Sequence, residues 1–168
     1  MQESLEDIAN QLALLLKQQK LTIATAESCT GGWIGKELTA IAGSSAFFRG
    51  GVIAYSNEIK HKLLNVPAEI IQKHGAVSQQ VVQAMALGAK QRLDVDIAIA
   101  VSGIAGPAGG SVEKPVGTVW FAWTLPGNLA LQKGKVIAEE KIFTGSREDV
   151  RKSTVYHALD KIKQILAD

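Results

Sequence analysis

A run of small polar residues and glycines at positions 26–32 is the feature that most constrains the fold of this chain. The run reads Ala-Glu-Ser-Cys-Thr-Gly-Gly and lies between an apolar segment at 21–25 and a helix-like segment at 33–41. Glycines let a backbone turn tightly and approach a ligand closely, and the first amides of a helix are unpaired donors beside its positive dipole end. This order predicts a strand-to-helix turn that holds either a nucleophile or an anion, although many α/β turns contain such residues without a chemical role.

A second glycine-rich segment, 102–110, strengthens the functional interpretation because it follows the clearest buried strand, predicted at 95–101. Further strands are predicted at 48–55, 116–125 and 135–143, the last two as an antiparallel pair joined at 126–128. Serine caps and apolar periodicity predict helices that begin after Ser4, Ser56, Ser78 and Ser146, and another from Pro67 to Gly75. The alternation predicts an α/β fold, a single three-layer α/β/α domain (1–168) with a mixed sheet. Ligands in such sheets bind beyond the carboxyl ends of the strands, where both glycine-rich loops would lie.

The bulk composition excludes several classes of function. A net charge of +2 is too small to indicate nucleic acid or a membrane surface as a partner, and no long apolar segment interrupts the chain. One cysteine excludes an internal disulfide and a cysteine-rich zinc site. The three histidines, His61, His74 and His157, have no metal-ligand spacing. We therefore expect no metal and no cofactor, and the lack of a signal-peptide pattern at the N-terminus predicts a cytoplasmic location.

Lysine is the best candidate for a catalytic base, since no histidine lies near either glycine-rich loop. In the helix predicted after Ser56, an apolar arc contains Leu63 and Leu64, and Lys60 projects inside it. A lysine held against apolar surface has its charged form penalised, so its pKa falls and it can accept a proton. The alternative is that Lys60 only extends its stem over apolar surface toward water. Paired with a serine in a glycine turn, it gives the hypothesis of a Ser-Lys arrangement.

Two further choices stay open from the residues alone. Cys29 competes with Ser28 as the nucleophile, because a thiol at a helix N-terminus can have a lowered pKa, yet free cysteines are more often small buried packing residues. Arg147 and Arg151 open the last predicted helix and suit either a phosphate clamp or surface pairs with neighbouring carboxylates.

Six ordered motifs together resemble the CinA C-terminal domain family, and they cover nearly the whole chain. The motifs are AESCTGG at 26–32, GSS at 43–45, YSNEIK at 55–60, HGAVS at 74–78, SGIAGP at 102–107 and KPVGTV at 114–119. The stand-alone members of this family are nicotinamide mononucleotide deamidases. The resemblance therefore implies hydrolysis of the carboxamide of nicotinamide mononucleotide to nicotinate mononucleotide and ammonia, in pyridine nucleotide salvage.

The resemblance also implies roles for individual residues. The family is described as metal-free serine amidohydrolases with a Ser/Lys dyad, so Ser28 is expected to be the nucleophile and Lys60 the general base. The substrate-binding residues expected beside them are Thr30, Gly31, Gly32, Ser44, Tyr55, Asn57, Ser102, Gly103, Ala105, Gly106 and Arg147. Backbone amides at 30–32 are expected to hold the oxyanion, while Tyr55, Asn57 and Ser102 orient Lys60 or the amide. The 102–107 loop is expected to shape the ribose-phosphate site, with Arg147 on the phosphate.

Two rival functions remain beside the deamidase. CinA-type domains also occur attached to other activities, so a non-catalytic nucleotide-binding or regulatory module is one alternative. A thiol-dependent enzyme that uses Cys29 is the other. A symmetric homodimer is expected, because small α/β enzymes of this kind often form one.

Overall fold

The computed structural model describes residues 3–133 and 136–168 of the chain. Its strands are β1 (Ile23–Glu27), β2 (Phe48–Ile53), β3 (Ile97–Gly103), β4 (Thr118–Thr124) and β5 (Val136–Ile142). Its α-helices are α1 (Leu5–Gln19), α2 (Trp33–Thr39), α3 (Asn57–Leu64), α4 (Ala68–His74), α5 (Gln79–Leu93), α6 (Gly127–Lys133) and α7 (Arg147–Ala167), and a 3₁₀ turn spans Ser44–Ala46. The alternation of helices and strands confirms the predicted α/β class.

The five strands form one mixed sheet in the order β2-β1-β3-β4-β5. β1 lies parallel to both β2 and β3, whereas β4 is antiparallel to β3 and β5 is antiparallel to β4. The predicted mixed sheet and antiparallel final pair are therefore confirmed. Because β1, β2 and β3 run in one direction, the loops that follow them emerge at the same edge of the sheet.

Two hydrophobic clusters lie on opposite faces of this sheet and give the fold its three layers. One face presents large side chains of the strands, such as Ile97, Phe121 and Trp123, to α1, α2 and α7. The other face is lined by alanines, including Ala98 and Ala100, and is covered mainly by α5. Small side chains let that helix lie close to the strands, since successive residues of a strand point to alternate faces.

The serine caps explain where four of the helices begin. The side chains of Ser4, Ser56, Ser78 and Ser146 each accept a hydrogen bond from the backbone amide three residues later. Each bond satisfies one of the amides that a helix start leaves unpaired. These four predicted starts are confirmed.

One predicted connection is wrong. Residues 126–128 were expected to form a short turn between β4 and β5, but α6 occupies Gly127–Lys133 instead. Pro126 precedes this helix, a favourable position for proline because the first helical amides have no partner within the helix. Leu129 and Ala130 pack against the first cluster, so burial of apolar surface outweighs the turn signal of proline and glycine. The start of the predicted strand at Lys135 lies outside the described residues.

Among the described residues, no helix is both long and apolar enough to cross a bilayer.

Candidate active site

Ser28 directly follows β1, at the edge where the parallel strands end. Its backbone amide donates to the carbonyl of Val101 in β3 at 3.1 Å, and its own carbonyl accepts from the Gly31 amide at 3.1 Å. The serine residue is 7% exposed. A strand bond on one side and a tight turn on the other therefore hold the hydroxyl in a defined place.

Lys60 approaches Ser28 from α3. Its Nζ lies 3.2 Å from Ser28 Oγ and donates to the carbonyl of Tyr55 at 3.0 Å. The residue is 1% exposed, and within the described part of the chain no carboxylate forms an ion pair with it. Burial lowers the pKa of the Lys60 ammonium, because a low-dielectric surrounding penalises the charged form. The geometry thus joins a serine hydroxyl to a lysine whose neutral form, the form a general base requires, is favoured by burial.

A cleft of about 280 Å³ opens onto this pair. Nine of the predicted site residues line it: Ser28, Lys60, Tyr55, Asn57, Ser102, Gly103, Ala105, Gly106 and Arg147. Ala76 and Val77, from the HGAVS motif, also contact it. The structure therefore brings the first turn, the segment before α3 and the second glycine-rich loop to one place.

Four predicted residues do not lie in this cleft. Thr30, Gly31 and Gly32 line a separate surface depression with Trp33 and Arg151. The Thr30 hydroxyl donates to Glu27, and the Gly31 amide is used in the turn itself. The structure therefore places the 30–32 segment at this depression and not in the cleft that Ser28 and Lys60 line.

Ser44 is the fourth predicted residue that lies outside the cleft. It begins the 3₁₀ turn that precedes β2, so it lies at the amino-terminal edge of the parallel strands, whereas Ser28 lies beyond their carboxyl ends. Strand direction thus separates Ser44 from the cleft within one chain.

Sequence reasoning gave no role to Glu27, which organises the first turn from inside. Its buried carboxylate accepts hydrogen bonds from the amides of Ile34 and Gly35 at 2.9 and 3.0 Å and from the hydroxyls of Thr25 and Thr30 at 3.1 and 2.7 Å. Two of these donors are the free amides at the start of α2, where negative charge is stabilised. An acidic residue in a turn that precedes a helix was the available signal.

The environment of Cys29 favours Ser28 as the nucleophile. The thiol lies in the first hydrophobic cluster, and the residue is 6% exposed. Burial raises the pKa of the Cys29 thiol to about 11. Since the thiolate is the reactive form, such a thiol is a poor nucleophile near neutral pH.

Arg147 spans the mouth of the cleft. Its guanidinium donates to the carbonyl of Gly106 at 2.7 Å and to the Tyr55 hydroxyl at 3.1 Å. Asp149, one of the two neighbouring carboxylates beside Glu148, closes the capping box with Ser146 instead. The positive charge of Arg147 therefore lies at the cleft rather than beside a neighbouring carboxylate.

Within residues 3–133 and 136–168, no three His, Cys, Asp or Glu side chains are grouped in a way that would hold a metal ion.

Fold and cleft together define a class: α/β proteins that present a serine and a buried lysine beyond the carboxyl ends of a mixed sheet. The sequence model of the CinA C-terminal domain matches residues 5–166. The chain belongs to the CinA C-terminal domain family.

The chain matches curated relatives of two kinds, some of about its own length and some much longer. It is 46% identical over 160 residues to the nicotinamide-nucleotide amidohydrolase PncC of Escherichia coli K12, covering 95% of this chain and 93% of that protein. It is 48% identical over 164 residues to a CinA-like protein of Citrifermentans bemidjiense, covering 98% of this chain but only 38% of that protein. The chain thus spans less than half the length of the CinA-like relatives and nearly all of PncC.

Solved structures show the same fold. A CinA superfamily protein from Klebsiella pneumoniae superposes with a TM-score of 0.90 at 38% identity, over 98% of this chain and 99% of that one. The competence/damage-inducible protein CihA from Agrobacterium tumefaciens gives a TM-score of 0.90 at 38% identity, over 98% and 97% of the two chains.

Proposed function

We propose that this protein hydrolyses the carboxamide of nicotinamide mononucleotide, releasing nicotinate mononucleotide and ammonia. The observation that carries the proposal is the 3.2 Å approach of Lys60 Nζ to Ser28 Oγ inside a cleft. The extended similarity to the amidohydrolase PncC supports the choice of substrate. Ser28 and Lys60 form the proposed dyad.

The first half of the reaction transfers the acyl group to the enzyme. Neutral Lys60 takes the proton of the Ser28 hydroxyl, and the serine oxygen forms a bond to the amide carbon. Collapse of the tetrahedral intermediate breaks the carbon–nitrogen bond, and Lys60 passes the proton it took from Ser28 to the departing nitrogen, so that ammonia leaves. The Tyr55 carbonyl, which accepts a hydrogen bond from Nζ, keeps the amine aimed at Ser28 throughout.

The second half releases the product. Water attacks the ester carbon of the acylated Ser28, Lys60 accepts a proton from that water, and the serine oxygen leaves with the proton returned to it. Nicotinate mononucleotide then dissociates and the free enzyme is restored. The charge that develops on the carbonyl oxygen in both halves needs hydrogen-bond donors in place beforehand, and loss of one such donor typically costs about 10²–10³ in rate.

The second glycine-rich loop is the better source of those donors. Ser102 lines the cleft beside Ser28 and is 1% exposed. Gly103, Ala105 and Gly106 line the same cleft. We assign the amide end of the substrate to the Ser102 side and the phosphate to the Arg147 side, since a guanidinium suits a phosphate oxygen.

Ammonia release tests the proposal directly. Purified protein is incubated with nicotinamide mononucleotide and EDTA, beside Ser28→Ala, Lys60→Ala and Cys29→Ala. Ammonia from wild type and Cys29→Ala, with none from the other two folded variants, supports a metal-free Ser/Lys amidohydrolase. Folded wild-type protein that releases no ammonia would refute the enzymatic assignment and favour the non-catalytic binding module.

Three further predictions accompany this function. The chain is proposed to act as a single domain (1–168), to form a homodimer and to work in the cytoplasm. Light scattering of the purified protein measures the oligomeric state.

A further inference from the structure

Arg151 contacts the backbone of the turn that carries Ser28. It lies in the first turns of α7, and its Nε donates to the carbonyl of Cys29 at 3.0 Å while Nη2 donates to the carbonyl of Thr30 at 3.2 Å. The guanidinium also lies 5.6 Å from the centroid of the Trp33 ring. Among the described residues no acidic side chain pairs with it. Its donors are therefore directed at two consecutive peptide groups that follow Ser28.

These two carbonyls lie on the outer side of the turn. On the inner side, Glu27 holds the Thr30 hydroxyl and the start of α2. Ser28 itself is tied to β3 through its amide. The segment between Ser28 and Gly31 is thus held by a carboxylate from inside and by a guanidinium from outside.

We propose that Arg151 is a positioning residue, which keeps Ser28 Oγ within reach of Lys60 Nζ by holding the carbonyls of Cys29 and Thr30. This inference rests on the proposed function. Arg151 touches neither the cleft nor the reacting atoms, so its effect reaches Ser28 only through the backbone. A displacement of about 1 Å at a reacting group can lower a rate on the order of 10²-fold.

The chemistry of the two contacts requires arginine in particular. A planar guanidinium presents several N–H donors in a rigid fork, whereas the ammonium of lysine is a point charge on a flexible stem. Lysine at this position would reach only one of the two carbonyls, so either the contact to Cys29 or the second contact to Thr30, whose carbonyl also accepts from the Trp33 amide at 3.1 Å, would be lost. The kcat of Arg151→Lys is therefore expected to be closer to that of Arg151→Ala than to that of wild type.

Steady-state kinetics and chemical rescue test the role. Arg151→Ala and Arg151→Lys are compared with wild type and with the neighbouring exposed Lys152→Ala as control. We expect kcat to fall by about 10- to 100-fold in Arg151→Ala with KM within about twofold of wild type. The depression beside Arg151 is open and measures about 330 Å³, so millimolar guanidinium chloride is expected to restore part of kcat, whereas equal sodium chloride is not.

A second readout does not depend on the substrate. The rate at which a small fluorophosphonate acylates Ser28, followed by intact mass, is expected to fall by a similar factor in Arg151→Ala and to recover with guanidinium. Wild-type protein that is labelled on Ser28 but releases no ammonia refutes the substrate and leaves the positioning role measurable. The positioning role is overturned by wild-type rates in Arg151→Ala, by a rise in KM alone, by a loss that guanidinium does not restore, or by a wild-type Ser28 that is not labelled.

Discussion

Replacement of Gly88 by alanine tests how closely activity depends on the packing of α3 against α5. Gly88 is buried in α5, and a Cβ atom built there would lie 1.9 Å from the carbonyl oxygen of Leu64, the last residue of α3. Real Cβ atoms do not approach closer than 3.0 Å. The two helices must therefore separate by about 1.1 Å, the difference between those distances.

The magnitude follows from two opposing terms. Overpacking of a buried contact costs about 1–3 kcal/mol of unfolding free energy, while alanine gains up to about 1 kcal/mol over glycine in a helix. A net loss of about 1–2 kcal/mol lowers Tm by about 2–8 °C for a chain of this size. Lys60 lies one helical turn before Leu64 on the same buried face, so kcat is expected to fall by about 10- to 100-fold.

Circular-dichroism melting and ammonia release measure the two effects. Gly127→Ala is the matched control, because a Cβ atom at that helical glycine meets no atom within 4 Å, and it is expected to keep wild-type kcat with a Tm no lower than that of wild type. A Gly88→Ala variant with wild-type Tm and kcat would show that the α3–α5 contact neither resists expansion nor positions Lys60.

Four other perturbations have defined outcomes. Because neutral Lys60 is the reactive form and its pKa is lowered by burial, kcat/KM is expected to rise with pH to a plateau through a pKa below 10.5, and a rate independent of pH in that range would contradict this. The unfolded chain binds the Lys60 proton more tightly than the folded protein does, so the free energy of unfolding rises with pH between the lowered pKa and 10.5. Urea titrations at several pH values measure this rise, and Lys60→Met is expected to remove it. In Glu27→Gln, the side-chain NH2 group would face a backbone amide at the start of α2, so that two donors oppose each other. The free energy of unfolding, measured in urea, is expected to fall by about 1–3 kcal/mol. A variant as stable as wild type would argue against the contact between Glu27 and α2. Native Cys29 is expected to resist iodoacetamide at pH 8, since its thiol pKa is about 11; rapid alkylation of the folded protein would refute its burial.

Local sequence signals predicted most of the elements but not every connection. The four serine caps and the apolar strands depend on residues a few positions apart, so they could be identified without the fold. The α6 helix could not, because Pro126 and Gly127 are equally typical of a turn. The packing of Leu129 and Ala130 on the first cluster decides that segment.

The candidate site also contains residues that local patterns identified and residues whose place only the fold decides. Motifs along the chain identified Ser28, Lys60 and the second glycine-rich loop as candidates, because each motif is a short local pattern. The same motifs also include four residues that were expected beside the substrate only because they belong to these motifs: Thr30, Gly31, Gly32 and Ser44. Strand direction and side-chain contacts, which no short pattern contains, separate these four from the cleft.

What the sequence by itself determined is the five strands, the α-helices other than α6, the family, and Ser28 and Lys60 as candidates for the dyad. Only the tertiary structure decided that Lys60 Nζ lies 3.2 Å from an oxygen 32 residues earlier and is buried there. It alone assigned Glu27 and Arg151 to opposite sides of the same turn. The physical reason is that secondary structure depends on neighbours along the chain, whereas burial and the distances between side chains depend on how distant segments pack.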